Sequence, residues 1–144
     1  MAGIEMGELG RSLGYLLRIG QLEAFEAFFA RFEDQDLRPG EFSVLWVIGL
    51  NPGLRQGDLA QALRIKPAHM TKIIRRLEDL GRVARSIPAE DRRSVHLHLT
   101  PGGQDFVARH RAVFFGQDAY FTHTLTADEE ADLVRLLRKI AGLP

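Results

Sequence analysis

Apolar side chains recur every three or four residues along the N-terminal part of the chain: Leu9, Leu13, Leu16, Ile19, Leu22, Phe25, Phe29 and Phe32. That spacing lays one stripe along a long helix, which Leu17 and Phe28 widen. Gly10, Gly14 and Gly20 weaken the local propensity, so packing must hold this helix together. A second helix is expected to begin at Pro39, a residue suited to a first turn, and to stop at Asn51-Pro52-Gly53. Its residues 42–50 are so apolar that they should be buried on most sides.

Beyond the Pro-Gly break, Gln56 to Leu63 reads as a short helix, Arg64-Ile65-Lys66 as a tight turn, and Pro67 to Leu80 as another helix closed by Gly81. Leu59, Leu63, Ile65, Met70, Ile73, Ile74 and Leu77 form the inward set of that pair. Two β-compatible runs follow, Val83 to Ile87 and Ser94 to Leu99. In the second, Val95, Leu97 and Leu99 alternate with Ser94, His96 and His98, which describes a hairpin with one apolar face and a basic tip at Arg92 and Arg93. Thr100-Pro101 caps a helix carrying Phe106, His110, Val113, Phe114 and Phe121 on one side. A capping box at Thr126 to Glu129 starts the last helix, with its stripe at Leu133, Leu136, Leu137 and Ile140. The whole is mainly α, about six helices with a small β-hairpin wing, and has no internal repeat.

Charge changes this picture more than composition does. The net charge over 144 residues is zero, yet residues 55–93 carry ten Lys/Arg against five acids, while residues 1–41 carry four Arg against eight acids. One contiguous basic block suits a phosphate-facing surface, although a solvated charged face would look the same. Zero cysteines exclude disulfides, thiolate metal sites and thiol redox sensing. Met1 to Gly10 lack the pattern of a secretory signal, and no apolar run is long enough to span a membrane, so a cytoplasmic protein without a membrane span is expected.

A helix-turn-helix presents the N-terminal part of its second helix to base edges in the major groove, and a basic hairpin beside it can enter the minor groove. Here Thr71 and His69 can hydrogen-bond to bases, and Ala68 or Met70 can touch a thymine methyl. Lys66, Lys72, Arg75, Arg76 and Arg85 suit phosphates or guanine edges, and Arg92 or Arg93 suits the minor groove. An ordinary basic surface helix remains the alternative.

Gln56-Gly57-Asp58-Leu59-Ala60, Lys66 to Leu80 and, above all, Asp91-Arg92-Arg93-Ser94-Val95-His96-Leu97-His98-Leu99-Thr100 resemble the MarR family of bacterial winged-helix regulators. The resemblance spans nearly the whole chain. It implies one MarR-like domain over residues 1–144, with dimerisation helices at 1–38 and 101–144 and a winged helix-turn-helix at 39–100. It implies a homodimer that binds double-stranded DNA at a pseudo-palindromic operator and usually represses. Thr71 and Lys72 would then lie in the major groove, Arg92 in the minor groove, and Asp91 would orient wing arginines through an ion pair. Three positions depart from the family pattern: Arg64 where glycine is frequent, Lys66 where a capping side chain is common, and Arg82 at a usually apolar place.

Many relatives release DNA when a small aromatic or lipophilic acid binds between the dimerisation helices and the reader. Tyr15, Arg18, Phe42, Trp46, His110 and Phe114 are candidates for lining such a cavity, or they are core. Leu13 to Arg18 faintly resembles regulators of hydroxycinnamate catabolism, including some that sense aryl-CoA thioesters. His96 and His98 share a strand face, but no third ligand lies nearby in sequence, so neither a metal nor a cofactor is expected. No Gly-rich phosphate loop, nucleophile elbow or HExxH helix points to an enzyme. The competing possibility is a winged-helix module that docks a protein without operator binding.

Overall fold

The computed structural model describes residues 3–144; Met1 and Ala2, part of the N-terminal reading, lie outside the described residues. A 3₁₀ turn at Gly7–Arg11 precedes helix α1, Leu13–Phe32. The expected helix through Leu9 is therefore interrupted. Ser12 is extended (φ −70°, ψ 123°), and its carbonyl accepts the N–H of Leu16 at 2.9 Å to start the helix proper. Helix α2 spans Glu41–Leu50, beginning two residues after Pro39. Gly40, at φ +86°, makes the left-handed bend that delays it.

Helices α3, Gln56–Ala62, and α4, Pro67–Asp79, follow, then strands β2, Val83–Ser86, and β3, His96–Leu99. A two-residue strand β1, Leu54–Arg55, extends the hairpin to a three-stranded antiparallel sheet in the order β1-β3-β2. Its shortness hides it from any periodicity. Leu97, the middle residue, faces both neighbours, opposite Leu54 and Arg85, and is fully buried. Helix α5, Pro101–Gly116, starts where Thr100 Oγ1 accepts the N–H of Gly103 at 3.0 Å and donates to the Gly81 carbonyl at 2.5 Å. Gly103 is required there, because a Cβ would meet the Arg82 carbonyl oxygen at 2.0 Å.

The helix expected to reach Phe121 stops at Gly116, and Phe121 belongs to a short helix α6, Ala119–Thr122, whose N–H groups turn back onto the Asp118 carbonyl. Helix α7, Ala127–Ala141, has the full capping box of Thr126 with Glu129 and ends at Gly142 in the left-handed region.

The chain divides into two units, residues 32–114 and the described part of Met1–Arg31 together with Phe115–Pro144. The division falls inside α1 and α5 because Phe32, Leu37 and Phe106 join the core of the central unit. That core stacks Phe42, Leu45 and Ile48 of α2 with Leu59 of α3, Met70, Ile74 and Leu77 of α4, and Val83 and Leu97 of the sheet. No helix among the described residues is long and apolar enough to cross a membrane.

Candidate nucleic-acid interface

The turn between α3 and α4 is tight because Arg64 adopts φ +53°, and the N–H of Ile65 closes it onto the Ala60 carbonyl at 2.9 Å. Pro67 takes the first helical position and no side chain caps α4, so its first-turn N–H groups remain open to an anion. Met70, Ile73, Ile74 and Leu77 bury one stripe. The opposite face exposes Lys66, Ala68, His69, Lys72 and Arg75, with Thr71 half-buried at its edge. Among the described residues, the side chains of His69, Lys72 and Arg75 have neither ion-pair nor hydrogen-bond partners.

Two residues expected on this face are not on it. Met70 is fully buried and cannot reach a thymine methyl, since it is the first member of the i, i+3, i+4, i+7 core stripe. Arg76 turns inward: its Nε donates to Glu41 Oε1 at 2.6 Å and its Nη2 to the Asp36 carboxylate and carbonyl, both at 2.9 Å. Glu41 is 2% exposed, and its second oxygen accepts the Arg38 N–H. Arg76 is thus the counter-ion of a buried carboxylate. Its hydrogen bond and positive charge hold the Asp36 carboxyl below its ordinary value of 3.8.

The wing tip leaves Arg92 and Arg93 exposed, with no side-chain partner among the described residues. Asp91 does not form the expected ion pair with them. Its carboxylate accepts the Ser94 hydroxyl and, at 3.1 Å, the backbone N–H of Arg93, so it shapes the loop through the backbone. Those two bonds, Ser94 first, lower its pKa. Arg85 also differs from expectation, because Glu78 of α4 takes its guanidinium through two bonds at 3.0 and 3.1 Å and ties strand β2 to the reader helix.

Between the start of α4 and the wing lies a notch of about 370 Å³, lined by Arg55, Gln56, Asp58, Pro67, Thr71 and Arg93 among others. Arg55 and Gln56 are additions to the sequence-based set. Arg55 was visible only as the first residue of the basic block, and Gln56 becomes relevant through its bond to Thr71 at 3.2 Å.

A second polar cluster backs the reader. Arg82 stacks its guanidinium 3.7 Å from the Phe106 ring centre and reaches the Gln35 carbonyl at 3.4 Å, while His110 meets the Gln35 side chain at 2.9 Å. Aromatic cover explains how an arginine occupies a usually apolar place. Burial nevertheless lowers its pKa. Of the six effector candidates, four gather in the central unit: Phe42 stacks on Phe114 at 4.3 Å and on Trp46 at 6.4 Å, with His110 and Phe114 both against Phe32. Phe42 is fully buried and serves as core. Tyr15 and Arg18 are on α1 in the other unit.

The MarR family pattern matches residues 37–95, which contain α4 and the wing tip. A candidate transcriptional regulatory protein for the hcr operon of Thauera aromatica is 33% identical over 141 residues, covering 97% of this chain and 85% of its own. The chain belongs to the MarR family. The MarR-family transcriptional repressor CouR, solved bound to a 23-mer DNA duplex, superposes with a TM-score of 0.89 at 33% identity, covering 97% of this chain and 99% of its own. BpsR of Bordetella bronchiseptica, whose DNA binding is regulated by 6-hydroxynicotinic acid, gives 0.84 at 27% identity, covering 90% and 98%. The mainly helical winged-helix architecture is therefore that of MarR proteins, which are transcriptional regulators and not enzymes.

Proposed function

We propose that this MarR-family chain is a homodimeric repressor that grips a pseudo-palindromic operator with α4 in the major groove and the wing arginines in the minor groove. The observation that carries it is a set of exposed basic side chains in one unit, unpaired among the described residues: His69, Lys72 and Arg75 on α4, with Arg92 and Arg93 on the wing. Cations without protein partners are available to phosphates and base edges. Lys66 and Ala68 complete the face, with Thr71 at its edge, while Arg85 and Arg76 act behind it. CouR bound to DNA supports the same use of the fold.

Two reader helices about one DNA turn apart, roughly 34 Å, require a dimer. The exposed apolar stripes of α1 and α7 supply material for one. For the signal, a small aromatic or lipophilic acid, such as a hydroxycinnamate or its aryl-CoA thioester, suits the aromatic cluster of Trp46, His110 and Phe114, where a carboxylate would take His110 Nε2 from its bond to Gln35. Regulation of BpsR by an aromatic acid supports that chemical class.

Binding of the full chain to random duplexes, with selection and sequencing, tests the reading. A palindromic consensus whose affinity falls steeply with salt is expected, as is its release by an aromatic acid or thioester. Flat salt dependence without a consensus, or stoichiometric capture of a protein instead, sinks it.

A further inference from the structure

Thr71, at the edge of the reader face, is not free to choose its hydrogen-bonding role. A threonine hydroxyl has one hydrogen to donate and two lone pairs. Its Oγ1 donates to the Pro67 carbonyl, one turn earlier, at 3.0 Å and accepts from Gln56 Nε2 at 3.2 Å. The hydrogen and one lone pair are committed. Were the Gln56 amide reversed, its oxygen would take the hydroxyl hydrogen, and Thr71 would still have nothing to donate.

In the major groove, adenine N6 and cytosine N4 donate, whereas guanine N7 and O6 and thymine O4 accept. A group that can only accept matches the amines. We infer that Thr71 is an acceptor-only probe, its hydrogen held by the Pro67 carbonyl and its oxygen pinned by Gln56 as a positioning residue, so that the base facing Thr71 is adenine or cytosine. The inference rests on DNA being read through α4. It gives neighbouring positions opposite preferences, since the Lys72 ammonium only donates and matches guanine or phosphate. Gln56 and Thr71 line the same notch as Arg93, which places this pair beside the wing.

The test is selection from randomised duplexes with the full-length parent, Thr71→Val and Gln56→Met. Valine keeps the shape of threonine and removes the acceptor, so it marks the base position concerned. The parent should select adenine or cytosine there, and valine should cut that discrimination roughly three- to tenfold, the range for one hydrogen bond. Methionine keeps the bulk of glutamine without its amide, so the hydroxyl keeps its donation to Pro67 but loses the partner that pins its oxygen. The preference for adenine or cytosine at the same position should then weaken, by less than with valine, while the other positions and the salt dependence stay unchanged. Guanine preferred by the parent, thymine preference that survives valine, or no effect of valine at any position overturns the inference. So does Gln56→Met that behaves as the parent or weakens all sequences equally. A parent with no sequence preference overturns the DNA-reading proposal as well, whereas a selective parent with an insensitive Gln56→Met overturns this inference alone.

Discussion

In the central unit Phe42, Leu45, Ile48, Met70, Ile74 and Leu77 are shielded from water, whereas along α7 Leu133, Val134, Leu136, Leu137 and Ile140 all stay exposed, Ile140 at 67%. The same contrast holds for α1, where Leu13, Leu16, Leu22, Phe25 and Phe29 are exposed and only Ala27, Phe28 and Phe32 are buried. Fully burying one such side chain contributes roughly 1.5–3 kcal/mol. The central unit has collected that contribution within one chain, while the terminal unit has left it available to a partner. One unit keeps its large apolar side chains inside, and the other leaves most of them in water.

Charging the open face of α7 should have the largest effect. Leu133→Glu with Ile140→Glu should leave the central unit folded, abolish the dimer in sedimentation, and weaken operator binding by about a hundredfold or more through lost bivalency. Tight binding by a variant shown to be monomeric would end the dimer proposal.

Neighbouring arginines sharpen the contrast inside the central unit. Arg76→Ala strands the Glu41 carboxylate, which is 2% exposed, and should lower stability by about 2 kcal/mol; the cost of a fully buried pair is larger, but Arg76 is 20% exposed and still meets water. Arg75→Ala should change stability by no more than about 0.5 kcal/mol, yet reduce the salt dependence of DNA binding by about one phosphate contact. Denaturant unfolding and salt titration of both variants check the pair. Equal unfolding midpoints would contradict the inward role of Arg76.

Arg64 occupies φ +53°, a region unfavourable to a side chain, so Arg64→Gly should raise the unfolding free energy by about 1 kcal/mol. No gain would mean that contacts of the arginine offset the strain.

The smallest effect expected is on acid stability. Asp36 and Asp91 have folded values below their ordinary 3.8, Asp36 through Arg76 and Asp91 through Ser94. Their contribution is present above that value and lost as pH falls through the lower folded one. Asp118, pushed up by burial and then by Glu130, acts oppositely: ionising it costs stability, and the cost disappears as pH falls through its raised value. Asp36→Asn should therefore flatten the loss of stability on acidification below about pH 4, measured by denaturant midpoints. A curve as steep as the parent's would remove Asp36 from the acid response.

Much of this was legible in one dimension. The 3.6-residue stripe of α4 and the alternation of β3 are local patterns that dictate which face is buried, the capping box of α7 marks where that helix starts, and the structure agrees with each. Met70 was misplaced because its position near the helix start suggested a reader, although its membership in the stripe already assigned it to the core. Strand β1 was missed because two residues have no period.

One-dimensional pattern establishes the order of the longer elements, the basic block at residues 55–93 and the presence of two apolar stripes that need covering. These follow from backbone periodicity and side-chain type, which are properties of neighbours along the chain. Tertiary structure decided which cations are free. Arg75 and Arg76 are adjacent and chemically identical, yet one faces water while the other is held by Glu41 and Asp36, thirty-five and forty residues away. It likewise decided that Asp91 shapes a loop and that the Thr71 hydroxyl is held between the Pro67 carbonyl and the Gln56 amide. The physical reason is that an ion pair or hydrogen bond depends on distance in space, which the fold creates and no local pattern encodes.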